Sequence, residues 1–133
     1  MNVEGRCHCG QIRYEAEVDP TAVKLCHCRD CQMLTGSAFR VIVPAPRETF
    51  ELVSGVPSKY VKTADSGNKR VHAFCPGCGA PVYSCAISDP ETYSLRVGCL
   101  EQRAQLVPQR QNWCVSALPW ALDLSGVEQC ERQ

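Results

Sequence analysis

Eleven cysteines in a chain of 133 residues, and above all their grouping, limit what this sequence can fold into. Seven fall into three tight sets: Cys7 and Cys9 as C-x-C, Cys26, Cys28 and Cys31 as C-x-C-x-x-C, and Cys75 and Cys78 as C-x-x-C. Cys85, Cys99, Cys114 and Cys130 stand alone. Thiols two or three positions apart make poor disulfides because the loop between them is too short, whereas a tight turn aims both sulfurs at one ion. The stretch from Met1 to Cys7 has no basic-then-apolar leader, so the expected compartment is the reducing cytoplasm and the expected use of the clusters is metal ligation.

The remaining composition excludes several classes. Fourteen Lys and Arg balance fourteen Asp and Glu, which leaves no bulk field to hold nucleic acid or an anionic membrane surface. No apolar run approaches the roughly 18 residues of a membrane span. The length predicts one domain over residues 1–133, its core spanning about 3–120 and a loosely held tail following Asp123.

Patterning predicts an all-β fold. From Gln11 to Val18, Ile12, Tyr14, Ala16 and Val18 alternate with Gln11, Arg13, Glu15 and Glu17, the period of a half-buried strand. Val23 to Leu25 is a short apolar approach to the three-cysteine set, and Asp30 to Thr35 can make a helical turn that Gly36 stops. Ala38 to Val43 reads as a strand broken by Pro44 and Pro46. Further strands are expected at Glu48–Val53, Ser58–Thr63, Arg70–Phe74, Pro81–Cys85, Thr92–Cys99 and Asn112–Ala117, with a turn at Asp65–Asn68. Leu100 to Gln111 is ambiguous between loop and short helix.

Cys75-Pro76-Gly77-Cys78-Gly79 has the form of a zinc knuckle: Pro76 fixes one φ, while Gly77 and Gly79 permit the positive φ of a tight turn. Joined to Cys7-His8-Cys9-Gly10 it makes a closed set of four thiolates, and a structural zinc of that kind is worth on the order of 10 kcal/mol. Cys26, Cys28 and Cys31 then remain as a trio. Structural zinc sites are closed by four protein ligands and catalytic ones keep a position open, so a trio points to an open site. The competing reading is that Cys85, Cys99, His8, His27 or His72 supplies a fourth ligand and makes this site structural too. An iron–sulfur cluster fits the spacing less well than zinc. Three thiolates donate heavily, so an ion held by them suits activation of an incoming thiol better than polarisation of a neutral carbonyl.

Three segments carry a resemblance: Gly5-Arg6-Cys7-His8-Cys9-Gly10, then Cys26-His27-Cys28-Arg29-Asp30-Cys31 running into Thr35-Gly36-Ser37-Ala38-Phe39, then Phe74 to Tyr83 around Cys75-Pro76-Gly77-Cys78. Together with Trp113 and Leu118-Pro119-Trp120 they resemble the glutathione-dependent formaldehyde-activating enzyme family, also called the centromere-protein-V domain, over roughly residues 3–120. The resemblance implies a β-tent fold of small antiparallel sheets stitched by a structural zinc, with two zinc ions per chain. Cys7, Cys9, Cys75 and Cys78 take the structural role by similarity, and Cys26, Cys28 and Cys31 the catalytic one. The implied reaction is carbon–sulfur lyase chemistry: reversible addition of glutathione to formaldehyde, giving S-hydroxymethylglutathione. The partners are then a small thiol and an aldehyde, with no nucleic acid and no membrane. The alternative is a non-catalytic, zinc-stabilised binding module of the same fold.

Gly36, Ser37 and Phe39 match the family segment after the trio and are candidates for lining the pocket, against the plainer readings of a bulge glycine and a core phenylalanine. His27 is a candidate for proton transfer, or a turn histidine facing solvent. Trp113 and Trp120 are candidates for covering substrate, or packing residues. The four isolated cysteines carry no assigned role.

Overall fold

A computed structural model describes the chain from Met1 to Gln133. Its elements are β1 (Asn2–Arg6), β2 (Arg13–Glu17), β3 (Lys24–Cys26), α1 (Arg29–Thr35), β4 (Arg40–Pro46), β5 (Glu51–Ser54), β6 (Ser58–Thr63), β7 (Lys69–Phe74), β8 (Pro81–Ala86), β9 (Thr92–Arg96) and β10 (Arg110–Asn112), with short 3-10 turns between them. They form a three-stranded sheet, β1-β2-β5, and a seven-stranded sheet, β10-β3-β4-β9-β8-β7-β6. The all-β expectation holds, with two differences of detail: one sheet is large, and β10 runs parallel to β3. No helix is long and apolar enough to cross a membrane.

Alternation explains how the sheets stack. Ile12, Tyr14, Ala16 and Val18 are buried while Gln11, Arg13, Glu15 and Glu17 are exposed, so the period read from sequence is the period of burial. In the large sheet the buried face is built from Val43 and Ala45 of β4, Leu95 of β9, Tyr83 and Cys85 of β8, and Val71 and Ala73 of β7. Phe50, just ahead of β5, joins the layers: its ring lies 5.7 Å from Tyr14, 5.4 Å from Tyr83 and 4.5 Å from Tyr93, stacked on the last. The opposite face of the large sheet is polar.

Two expected boundaries move. β4 does not break at Pro44 and Pro46 but continues to Pro46, paired with β9 through Pro44↔Ser94 and Pro46↔Thr92. The reason is that β3 starts at Lys24 opposite Ile42, so beyond Ile42 β4 has a free edge that requires no N–H donors, and an edge tolerates proline. The expected strand over Asn112–Ala117 is instead the end of β10 followed by a 3-10 turn at Cys114–Ser116. Trp113 makes the break, with φ 57° and ψ 43°, a left-handed conformation that no strand accommodates. Leu100–Gln111 resolves into a 3-10 turn at Arg103–Gln105, buried Leu106 and the start of β10.

Candidate metal centres

The first centre lies where two hairpin tips meet, one from each sheet. Cys7 and Cys9 occupy the β1–β2 loop, closed by Cys7 N–H to Ile12 O at 3.1 Å and Gly10 N–H to Cys7 O at 3.1 Å. Cys75 and Cys78 occupy the β7–β8 turn, closed by Gly79 N–H to Cys75 O at 2.8 Å. Gly79 has φ 75°, as the knuckle requires, but Gly77 does not take a positive φ. A Cβ at Gly77 would fall 2.9 Å from Gln11 Oε1, the movable end of an exposed side chain, and in ordinary contact with the Cys75 and Cys9 sulfurs. The four sulfurs all lie within 4.8 Å of one another, with Cys7–Cys9 at 3.5 Å and Cys9–Cys75 at 3.7 Å. A tetrahedron with metal–sulfur bonds of about 2.3 Å has edges of about 3.8 Å, so the donor set fits a zinc-sized ion. The backbone favours thiolates here. Ile12 N–H donates to Cys7 Sγ at 3.2 Å, and hydrogen bonds from the Ala80 and Cys9 backbone hold the Cys78 thiol down to about 6.

The second centre sits at the polar face of the large sheet. Cys26 ends β3, flanked by Asn112 of β10 and Arg40 of β4; Cys28 caps α1, its sulfur accepting from Cys31 N–H at 3.4 Å; Cys31 lies in the first turn of α1 and is buried. Gly36 ends the helix with φ 61°. The sulfurs of Cys26, Cys28 and Cys31 lie within 4.8 Å of one another, and no fourth His, Cys, Asp or Glu ligand atom joins them. Burial opposes the Cys28 thiolate, but Cys31 N–H and the two neighbouring thiols bring it below its ordinary value, whereas burial pushes the Cys31 thiol up to about 12. The three thiols titrate as one interacting set, in which Cys28 is the member whose surroundings favour the thiolate and Cys31 the one most opposed to it. Three sulfurs at this spacing suit a soft or borderline ion that keeps one position free.

Of the three histidines considered as fourth ligands, His8 is exposed, and His27 and His72 are otherwise engaged. His27 is 1 % exposed, not a solvent-facing turn residue. Its Nε2 donates to Gln111 Oε1 at 2.8 Å, its ring meets Phe39 edge-on at 5.6 Å, and its Nδ1 is buried without a partner. His72 Nδ1 accepts from Arg96 Nη2 at 3.2 Å. Burial, then the charges of Arg40 and Arg96, push His72 down to about 4, so it is neutral at pH 7.

A pocket of about 290 Å³ opens beside the trio, with Cys26 and Cys31 in its wall. The rest of the wall is the polar face of the sheet, including Lys24, Arg40, Lys62, Arg70, His72 and Arg96. Of these, sequence reasoning singled out only His72, and as a possible metal ligand. The available signal was that several lie in strands at positions whose chain neighbours turn inward, such as Arg70 and His72 around buried Val71 and Arg96 between buried Leu95 and Val97. Gly36 and Ser37 are exposed at the end of α1, Phe39 packs behind His27, and none of the three is in the wall of this pocket. Trp113 is 64 % exposed and follows Asn112, which does line it; Trp120 is 60 % exposed in a later 3-10 turn. Gln32 Nε2 ties the Trp113 loop to the trio by donating to Ser116 O at 3.0 Å and His27 O at 2.8 Å.

The segments that carry the two thiol sets lie within a stretch of sequence that matches a known family. The profile of the glutathione-dependent formaldehyde-activating enzyme family aligns with residues 2–116. The chain belongs to this family. Among solved structures, a crystal structure of a Rhodobacter sphaeroides protein from structural genomics is similar to this glutathione-dependent formaldehyde-activating family member at a TM-score of 0.63. The two share 23% identity over 84% of this chain and 100% of the other, a likeness that speaks to the fold.

Proposed function

We propose that the protein is a zinc enzyme of carbon–sulfur lyase type that adds a small thiol, glutathione by family, reversibly to formaldehyde or a related small electrophile. Cys7, Cys9, Cys75 and Cys78 hold a structural zinc between the two sheets, and Cys26, Cys28 and Cys31 hold a second zinc at the pocket. An ion bound by three thiolates has room for one exchangeable ligand and lowers the pKa of a thiol that reaches it. The observation that carries the reading is the incomplete ligand set: three sulfurs converge with no fourth donor from the chain, and two of them, those of Cys26 and Cys31, stand in the wall of a pocket.

The chain's own part is orientation. β4 and β10 pin Cys26 from both sides, α1 fixes the spacing of Cys28 and Cys31, and Gln32 holds the Trp113 loop against the same site. In the net reaction the thiol sulfur bonds to the aldehyde carbon, the carbon–oxygen π bond breaks and the thiol proton ends on that oxygen, so nothing is oxidised or reduced. The protein works as one domain in a reducing compartment, where thiols such as its eleven, all unpaired, persist.

Metal analysis of reduced protein and a thiol-dependent formaldehyde consumption assay test the reading. Two zinc ions per chain are expected for the native protein. Cys28→Ser should carry one, keep its circular dichroism spectrum and lose thiol-dependent consumption by two orders of magnitude or more, roughly the scale of losing an activated nucleophile. A Cys28→Ser protein that kept both ions and full activity would sink it.

A further inference from the structure

The pocket beside the trio carries more cations than nearby acids balance: Asp30 pairs with Lys62 at its edge, and the other cations have no carboxylate within ion-pair distance. Lys24, Arg40, Arg70 and Arg96 line it and no carboxylate does. The ion pairs of the chain are Arg6–Glu101, Arg47–Asp89 and Lys62–Asp30, so no carboxylate lies within ion-pair distance of Arg40, Arg70 or Arg96. Arg96 is only 5 % exposed. Its one polar contact is the donation to neutral His72, and its Nε, like that of Arg40, is buried with nothing to donate to. Guanidinium groups this deep are ordinarily paired, because desolvation of an unmatched charge is costly.

Register explains why the charges converge. Arg96 of β9 stands opposite Ile42 of β4, which in turn stands opposite Lys24 of β3, while Arg40 pairs with Cys26 two positions along. His72 of β7 lies across from Ser84 of β8, which pairs with Ser94 of β9, two residues from Arg96. Every second residue on neighbouring strands points the same way, so these groups share the face that carries the Cys26 sulfur.

We propose that this face is an oxyanion subsite: the forks of Arg40 and Arg96, supported by Arg70 at the rim, hold the acid group of a small substrate, carboxylate or phosphate, beside the sulfurs of Cys26 and Cys31. Planar guanidinium groups take either oxyanion with paired hydrogen bonds, and a pocket of this size suits a small metabolite, not a macromolecule. As a statement about substrate class it rests on the thiol-activating reading of the trio; as a statement about anion binding it does not.

Titration calorimetry on reduced, zinc-loaded protein separates the two. Succinate carries carboxylates but no thiol or aldehyde, and succinamide is its neutral counterpart. Saturable binding of succinate or of inorganic phosphate, with none of succinamide, is the expected result, and the tighter of the two anions identifies the acid group. Arg96→Gln or the half-buried Arg40→Gln should weaken that binding about tenfold or more, while Arg13→Gln on the other sheet should leave it unchanged. Having both pocket variants guards against one failing to fold. If neither anion binds the native protein, or if both pocket variants bind as well as native, the subsite is wrong. Anion binding without turnover of any thiol upholds the subsite and overturns the role of the trio; turnover of a neutral thiol without anion binding does the reverse.

Discussion

Gly5 and Tyr14 face each other across β1 and β2, and a Cβ at Gly5 would lie 2.1 Å from the Tyr14 ring. Gly5→Ala should therefore destabilise by about 3 kcal/mol, the upper range for overpacking, because the ring has a filled core behind it. Tyr14→Phe should act in the other direction. The Tyr14 hydroxyl is buried without a hydrogen-bond partner, and its removal is expected to raise stability by about 1 kcal/mol; urea titration of reduced protein checks both. His72 supplies a pH dependence. Its folded value of about 4 lies below the ordinary 6.5, so between those values the unfolded chain binds more protons and stability falls as pH falls. After allowance for its half-buried position, the loss is on the order of 2 kcal/mol between pH 7 and pH 4. The same titration on His72→Gln should lack that component, and identical profiles for the two proteins would contradict it. At this scale the cysteines were legible, since ligation demands short spacing that survives in one dimension. The arginines of the pocket were not: an arginine in a strand reads as an exposed position until the register brings several polar positions to one place.

The helix and the strands show how local signals fare against their neighbours. α1 was legible because Gly36 stops it, and Gly36 meets no atom within 4 Å of an added Cβ, so its requirement is conformational only. Gly36→Ala should cost about 1 kcal/mol, seen as a small fall in thermal midpoint with zinc content unchanged, in contrast to the steric cost at Gly5. The alternation of β2 was legible for the same reason: one strand reports its own two faces. The run through Pro44 and Pro46 was not, because whether a proline breaks a strand depends on which neighbour needs its missing N–H, and the absent neighbour was β3. Nor was β10, three residues long and parallel, whose existence depends on pairing with a strand more than 80 positions earlier and on a backbone reversal at Trp113.

Across the whole molecule, the four-thiol centre couples the β1–β2 loop to the β7–β8 turn, the tips of hairpins in different sheets. An ion held there would tie the stack together, whereas one held by the trio would touch only the polar face. Strong chelation should therefore act in two stages: loss of one metal with thermal stability nearly kept, then loss of the second with a fall in stability on the order of 10 kcal/mol, enough to unfold a domain of this size. Cys78→Ser should reproduce the second stage and Cys28→Ser the first, as read by differential scanning fluorimetry alongside metal release. The neutral total charge says nothing of local fields, and it concealed one here, because most of the balancing acids lie elsewhere on the surface.

The two faces of the seven-stranded sheet have an evolutionary corollary. Side chains that alternate along one strand answer to separate demands, cohesion on one side and molecular recognition on the other. A descendant could exchange the arginines for neutral groups and acquire a different clientele while its hydrophobic interior stayed untouched.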